Sequence, residues 1–204
     1  MITIISPTSY KKIPWKNGLG FTTELAINEG ANLNNFDWRI SIASVTSNGE
    51  FSNFSGYDRN LVLIEGHSIA LLHDKKNTDN LTKLLDIAKF YGGCKTFGTL
   101  HQGAINDFNV ITKQSTTSVN VETYVDQQTV AQPLIKSNLT FVYSLSANII
   151  INNAGSIITV PQGSLAKINA EHHNEKPDSS AKLTISGQKM IVTNISYTQA
   201  TSRC

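Results

Sequence analysis

Short alternating hydrophobic segments, separated by turn residues at brief intervals, constrain the fold of this chain more than any other feature. Segments rich in β-forming residues occur at 36–45, 60–66, 116–125, 139–145, 148–151, 156–160, 182–186 and 189–196. Clusters of Gly, Asn, Asp and Ser lie between them. Because successive side chains of a strand point to opposite faces, this series predicts an all-β barrel or sandwich.

One segment follows a helical period instead. In "NLTKLLDIAKF" four apolar side chains recur at i, i+3, i+4 and i+7: Leu81, Leu84, Leu85 and Ala88. That stripe is typical of one face of a helix. We therefore expect a turn or two of helix around residues 79–89.

Composition limits the class of protein and its partners. The 204 residues are 40% hydrophobic, enough for one large domain or two small ones. The net charge is only +2, with no long run of one sign, so we expect no nucleic-acid partner. No apolar run approaches the roughly 20 residues that span a bilayer, and "MITIISPTSYKK" is not a convincing signal peptide. We expect a soluble, cytoplasmic protein without a membrane partner.

Familiar catalytic and metal-binding signatures are missing from the sequence. There is no GxxxxGK[ST] loop or GxSxG elbow, and Gly18-Leu19-Gly20 lacks the third glycine of a dinucleotide fingerprint. The histidines form no H-x-H pair; they are His67, His73, His101, His172 and His173. We therefore expect no bound metal and no cofactor. Cys94 and Cys204 are interpreted as free thiols, with Cys94 a small hydrophobe rather than a nucleophile.

Several β segments carry polar side chains on a single face. The alternation places these residues together, segment by segment: Asp37, Arg39, Ser41 and Ala43; Thr22, Glu24 and Ala26; and Asp107, Asn109 and Ile111. Arg59 begins a further strand. A solvated face is the ordinary explanation for any single one of them. However, the segments hold few of the Lys and Glu residues that usually coat an exposed sheet. The mixture favours a barrel with a polar interior pocket.

Three long motifs resemble the HutD/Ves family in order and spacing. They are "PWKNGLGFTTELA" (14–26), "FDWRISIASVTSNGEFSNFSGYDRNLVLIEG" (36–66) and "GAINDFNVITK" (103–113). The later "VPQGSLAKI" is consistent with the second barrel of that family. Two departures are visible. Leu19 replaces the middle of three glycines that the family usually has, and Lys113-Gln114 stand where the family often has arginines.

The resemblance implies a fold and a biological setting. It implies a double-stranded β-helix fold, a bicupin of two packed cupin-like barrels, with barrels at about 1–115 and 116–204. It implies a bacterial cytoplasmic protein linked to histidine breakdown, in a family suspected of binding an intermediate such as N-formylglutamate. No catalytic activity is firmly attached to the family, so the resemblance does not decide whether this chain is an enzyme.

The resemblance and the chemistry of the side chains together define a candidate site. The ligand-binding set is Trp15, Lys16, Asn17, Thr22, Glu24, Arg39, Ser41, Arg59, Asp107 and Asn109. Trp15 would form an apolar wall, and Lys16 or a nearby arginine would neutralise a carboxylate. Asn17, Thr22 and Glu24 would hydrogen-bond the polar parts of the ligand. Arg39 and Arg59 would bind the carboxylates of the ligand, and Asn109 would bind its amide.

The sequence does not decide between a ligand-binding and a structural role for the charged residues, nor among three functions. Arg39 and Asp107 could instead form an internal ion pair between strands. The first function is a non-catalytic protein that senses or buffers a small acidic metabolite. The alternative is a metal-independent hydrolase or isomerase with Glu24 or Asp107 as general base. A regulator acting through a protein partner is a third choice, and a homodimer is left open.

Overall fold

The computed structural model describes residues 1–15, 20–133, 138–169 and 182–198. Within them the chain is strand and turn, apart from one 3-10 turn at Pro7–Ser9. The strands, in chain order, are β1 (Ile2–Ile5), β2 (Lys11–Pro14), β3 (Gly20–Ile27), β4 (Trp38–Val45), β5 (Gly49–Glu50), β6 (Tyr57–Glu65), β7 (Ile69–His73), β8 (Asn77–Leu81), β9 (Ile87–Tyr91), β10 (Thr96–Leu100), β11 (Ile105–Lys113), β12 (Thr117–Tyr124), β13 (Gln128–Pro133), β14 (Asn138–Ser144), β15 (Ile149–Asn153), β16 (Ser156–Val160), β17 (Leu165–Asn169), β18 (Lys182–Gly187) and β19 (Met190–Tyr197). The all-β prediction is confirmed. The described residues contain no helix long and apolar enough to cross a membrane.

Two compact units divide the chain. Tyr10–Ser118, with Thr198, form the N-terminal unit, while Met1–Ser9 and Val119–Tyr197 form the C-terminal unit. The first residues belong to the C-terminal unit because β1 pairs with β17, in the register Ile2 to Ile168 through Ile5 to Leu165. The division into barrels near residue 115 stays a prediction.

The N-terminal unit consists of two antiparallel sheets. The larger has the strand order β2-β3-β4-β11-β6-β9, and the smaller has the order β5-β10-β7-β8. Side chains of both sheets share one apolar core, formed by Val45, Leu61, Leu63, Ile69, Leu71, Leu81, Ala88 and Ile105. Leu61 and Leu63 are both fully buried and lie two residues apart on β6, as the alternation of an inward-facing strand requires.

The C-terminal unit repeats this plan with an entirely apolar set of core residues. Its sheets have the orders β1-β17-β14-β19-β12 and β13-β18-β15-β16. The core residues come from both sheets and include Val142, Ile149, Ile185 and Val192. Beside them, Thr140 Oγ1 donates to Asn194 Oδ1 at 2.7 Å, whereas the buried Thr193 Oγ1 has no hydrogen-bond partner among the described residues.

The helix expected around residues 79–89 is wrong. Leu81 ends β8 and Ile87 begins β9, and the residues between them form a tight turn. Asp86 Oδ2 accepts hydrogen bonds from the backbone N–H groups of Thr82 and Lys83, both at 2.8 Å, and Leu85 has a φ of 70°. A short acidic side chain that binds nearby N–H groups competes with a helix. Leu81, Leu85 and Ala88 are buried and Leu84 is half-buried, but they lie in strands and a turn.

Candidate functional site

The polar site residues singled out on the predicted strands lie on one face of the six-stranded sheet. We call it the inner face, because it also carries the core residues Leu61 and Leu63. Antiparallel partners share a face, so the register places the side chains in rows. The rows are Arg39, Ile111, Arg59 and Phe90; then Glu24, Ser41, Asn109 and Leu61; then Thr22, Ala43, Asp107 and Leu63. Their order follows the predicted alternation.

A β-bulge changes one predicted neighbour. The register of β3 on β4 shifts between Glu24 and Ala26, so that Ala26 pairs with Ile40 rather than continuing the inner face. The prediction that Ala26 shares a face with Thr22 and Glu24 is therefore wrong. A bulge inserts one extra residue and re-aims the side chains next to it. Here it leaves Glu24, the last inner-face residue before the shift, beside Ser41.

Arg39 forms a buried ion pair with Glu24. Arg39 Nε donates to Glu24 Oε2 at 2.8 Å, and the two side chains are 7% and 10% exposed. The internal ion pair considered from sequence thus exists, but its acidic partner is Glu24 and not Asp107. Each charge compensates the other across β3 and β4, so this pair holds two strands together at the edge of the polar rows.

Arg59 heads a second buried chain of polar contacts. Its Nη2 donates to Asn109 Oδ1 at 2.9 Å, and its Nη1 donates to the Ser52 carbonyl at 3.3 Å. The Asn109 amide in turn donates to Asp107 Oδ1. Each polar atom of Asn109 thus makes one hydrogen bond within the protein, and its side chain positions Arg59 and Asp107.

Aromatic rings surround the Arg59 guanidinium on its other sides. Its Cζ lies 5.4 Å from the ring centroid of Phe51, 5.5 Å from that of Phe54 and 5.2 Å from that of Phe90. Ring faces attract a cation that has lost its water. Sequence reasoning missed these three phenylalanines. The two in "FSNFSGYDR" precede Arg59 closely and could have been found, whereas Phe90 comes from a separate strand paired with β6.

Four buried side-chain polar atoms have no hydrogen-bond partner among the described residues, and two of these atoms belong to the inner face. They are Arg59 Nε and Asp107 Oδ2, and both are buried. Buried polar atoms are normally hydrogen-bonded, so an unpaired donor and an unpaired acceptor on neighbouring inner-face strands require a further group. A small molecule that can both accept from Arg59 and contact Asp107 has the required chemistry.

Burial shifts the ionisation of both residues toward neutrality. It raises the pKa of the Asp107 carboxyl to about 7, and the Arg59 charge and the Asn109 hydrogen bond reverse that rise only in part. Burial also lowers the pKa of Arg59 to about 10; Asp107 opposes this change and Arg39 adds to it. Arg59 stays charged at neutral pH, while Asp107 is about half protonated there.

Trp15 directly follows β2, and its backbone N–H donates to the carbonyl of Gly20, the first residue of β3. Its Nε1 donates to Thr22 Oγ1 at 2.8 Å, and its ring packs against the core of the N-terminal unit. A Cβ on Gly20 would lie 2.6 Å from the Ser44 carbonyl and 3.0 Å from the Trp15 ring. The bare backbone of Gly20 thus makes room for Trp15. Lys16 and Asn17 lie outside the described residues.

Among the described residues, the remaining His and Cys side chains do not form a metal-binding or nucleophilic site. Within the described residues, no group of three or more His, Cys, Asp or Glu side chains is placed to hold a metal ion. Buried His73 contacts Thr96 Oγ1 through Nδ1 at 2.9 Å and Asp79 Oδ2 through Nε2 at 3.2 Å. Burial and a hydrogen bond with Asp74 raise the pKa of the Cys94 thiol, which weakens it as a nucleophile.

A surface depression lies apart from the predicted set. It has a volume of about 240 Å³ and is lined by Asn28, Glu29, Gly30, Ala31, Asn35, Phe36 and Asp37. None of the ten sequence-derived site residues lines it. Asp37 is instead held by the fold, because its Oδ1 accepts a hydrogen bond from Thr116 Oγ1 at 2.9 Å.

Comparison with solved structures identifies the fold class. The structure aligns with HutD from Pseudomonas fluorescens SBW25 with a TM-score of 0.78 and 23% identity, over 97% of this chain and 100% of the other. It also aligns with a cupin 2 conserved barrel domain protein from Leptotrichia buccalis, with a TM-score of 0.52 and 8% identity over 87% of this chain and 88% of the other. The fold is therefore all-β and cupin-like.

Sequence comparison identifies relatives over about half the chain. A Pseudomonas putida protein described as an "Uncharacterized 21.2 kDa protein in hutC 3'region" is 37% identical over 54% of this chain and 57% of its own length. Protein Ves of Escherichia fergusonii is 36% identical over 50% of this chain and 55% of its own length. The chain thus spans somewhat more than half the length of these relatives. The sequence profile of HutD matches residues 7–192. The chain belongs to the HutD family.

Proposed function

We propose that the inner face of the N-terminal unit binds a small acidic metabolite, without catalysis, and that the acid is N-formylglutamate or a close relative. The observation that carries this proposal is Arg59. It is a buried cation, held by Asn109 and surrounded by three aromatic rings, with an Nε–H that has no partner among the described residues. A carboxylate oxygen is the strongest acceptor for such a donor.

The charge balance of the inner face supports an anionic ligand. The buried charges on it are Arg39, Glu24, Arg59 and Asp107. Arg39 is already compensated by Glu24, and Asp107 is about half neutral at pH 7, so the balance leaves part of a positive charge at Arg59. One ligand carboxylate compensates it. A second carboxylate needs a cation outside this group, the part that the sequence assigns to Lys16.

Hydroxyl groups supply the contacts for an amide. Ser41 is buried between Glu24 and Asn109 in the register, and Thr22 lies one row away. Their O–H groups can donate to the carbonyl of a formamide, the role expected of Asn109, whose amide already donates to Asp107. An acyl amino acid, which combines carboxylate and amide, fits this combination.

The link to histidine utilisation rests on family membership. A relative in Pseudomonas putida is described as lying in the hutC 3′ region, and HutD from Pseudomonas fluorescens shares the fold. We extend that association to this chain, as a cytoplasmic bicupin that buffers or senses a histidine-pathway acid. The absence of a nucleic-acid partner and the formation of a homodimer stay predictions.

A ligand screen with one matched pair of variants tests the proposal. Thermal shift and calorimetric titration with N-formyl-L-glutamate should show binding, because a ligand of the folded state raises its stability. Arg59→Met removes the buried cation, and affinity should fall by about 2 to 5 kcal/mol. The control Lys89→Met removes an exposed cation from the neighbouring strand β9 and should bind like the wild type. Equal loss in both variants, or no binding by the wild type, contradicts the proposal.

A second function is favoured by the ionisation of Asp107. A carboxyl with a pKa of about 7 is suited to general acid–base chemistry at neutral pH, whereas Glu24 is committed to Arg39. The second candidate is therefore a metal-independent hydrolase or isomerase with Asp107 as general base. Incubation with N-formyl-L-glutamate and measurement of released formate decides between turnover and binding alone. Release that persists in Asp107→Asn contradicts this assignment.

A further inference from the structure

Asp107 is placed where it can contribute a proton as well as a charge to the site. It is fully buried on β11, its Oδ1 accepts from the Asn109 amide, and its Oδ2 has no partner among the described residues. An ionised oxygen here would repel an incoming carboxylate. A protonated oxygen would instead be a donor, with an O–H free to bind a ligand oxygen.

We propose that the site binds its acid together with one proton, and that Asp107 Oδ2 carries this proton and donates it in a hydrogen bond to the ligand. This inference rests on the proposed function. The balance is simple: ligand anion, ionised Asp107 and one proton from solvent give a complex with neutral Asp107. Arg59 then faces a single carboxylate, that of the ligand, instead of two.

The surroundings of Asp107 point the same way. The buried charged groups beside it on the inner face are Arg59 on β6, Arg39 on β4 and Glu24 on β3, and Glu24 is neutralised by Arg39. By register Lys11 on β2 and Lys113 at the end of β11 share this face, but Lys11 is exposed and Lys113 is half-buried. The described core side chains of the facing sheet are apolar, namely Ile69, Leu71 and Leu81. The titratable pair on that sheet, His73 and Asp79, contact each other. Two groups therefore oppose protonation of Asp107, the Arg59 charge and, to a smaller extent, the Asn109 hydrogen bond, and a bound carboxylate weakens the opposition from Arg59.

The coupling predicts a pH-dependent affinity. Burial raises the pKa of Asp107 to about 7, so its neutral fraction falls from about 0.9 at pH 6 to about 0.1 at pH 8. Apparent affinity scales with the competent fraction and should fall about tenfold over that range. The carboxylates of N-formyl-L-glutamate, with ordinary pKa values well below 6, stay ionised throughout.

Calorimetric titration with N-formyl-L-glutamate at pH 6 and pH 8, in two buffers of different ionisation enthalpy, tests the inference. The wild type should bind about tenfold more weakly at pH 8, with uptake of nearly one proton per acid bound. Asp107→Asn, a neutral side chain of the same shape, should show neither effect. It retains His73, so a pH dependence that persists in Asp107→Asn overturns the role of Asp107.

The other outcomes separate this inference from the proposed function. Wild-type binding that is equally tight at both pH values, with no buffer-dependent enthalpy, overturns the inference and leaves the proposed function standing. No binding at pH 6, where Asp107 is neutral, overturns both. If Asp107→Asn does not fold, as judged by thermal unfolding, proton uptake by the wild type carries the test.

Discussion

The Glu24–Arg39 pair allows the scaffold of the site to be separated from its ligand contacts. Arg39 Nε and Glu24 Oε2 are 2.8 Å apart, with side chains 7% and 10% exposed. At an effective dielectric constant of about 20 the two charges attract by about 6 kcal/mol, most of which offsets their desolvation. Arg39→Met strands a buried carboxylate and should lower the free energy of unfolding by about 3 to 5 kcal/mol.

A double-mutant cycle measured by urea denaturation without ligand checks this expectation. Glu24→Met combined with Arg39→Met removes both charges and should recover most of the stability that either single change loses. The exposed pair Lys95 and Glu50, 3.1 Å apart with side chains 69% and 61% exposed, is the control, and its coupling should be about 0 to 1 kcal/mol. Additive losses at Glu24 and Arg39, or an unchanged stability in Arg39→Met, would refute the reasoning.

Three further predictions concern stability. Between about pH 4 and 7 Asp107 is neutral in the folded state and ionised in the unfolded state, so the folded state holds one extra proton. The free energy of unfolding of the wild type, relative to Asp107→Asn, should therefore fall by about 4 kcal/mol as pH rises through that window and then level off. Denaturation curves of the two proteins that stay parallel at all pH values would contradict this. Gly20→Ala should lower the free energy of unfolding by about 1 to 3 kcal/mol and shift tryptophan fluorescence, because the added Cβ lies 2.6 Å from the Ser44 carbonyl oxygen. The control Gly49→Ala has open space around its Cβ and should change stability by under about 0.5 kcal/mol in the same thermal scan. Asp86→Ala removes the acceptor of two backbone N–H groups and should cost about 1 kcal/mol by denaturation; a loss no larger than that of exposed Lys83→Ala would show that the turn does not depend on it.

The sequence predicted those features that follow from alternation. Period-two patterning identified the all-β fold and placed Arg39, Ser41 and Asn109 on one face, since a strand leaves each side chain only two directions. It failed where a single side chain or an extra residue overrides the pattern. Asp86 binds the backbone and turns a helical stripe into a strand connection, and the bulge after Glu24 reverses the following residues.

Partner choice within the site was not predictable from the chain alone. Glu24, Asp107 and Arg59 lie far apart in sequence, and either acid could have met Arg39. Register decided the matter, because β3 and β11 both pair with β4, but Glu24 lies opposite Ser41, one row from Arg39, while Asp107 lies opposite Ala43, two rows away. The register of distant strands depends on the whole sheet. Phe90 approaches Arg59 for the same reason.

The pairing of β1 with β17 has a consequence for how the chain is made. Residues 2–5 are synthesised long before their partners at 165–168, so the five-stranded sheet of the C-terminal unit closes over a very long loop. The strands of Tyr10–Ser118 find all their sheet partners within that range and can fold on the ribosome earlier. Until β1 docks, β17 is an open edge able to pair with another copy. A chain shortened by residues 1–9 should therefore aggregate during expression even though the inner face of its N-terminal unit is intact.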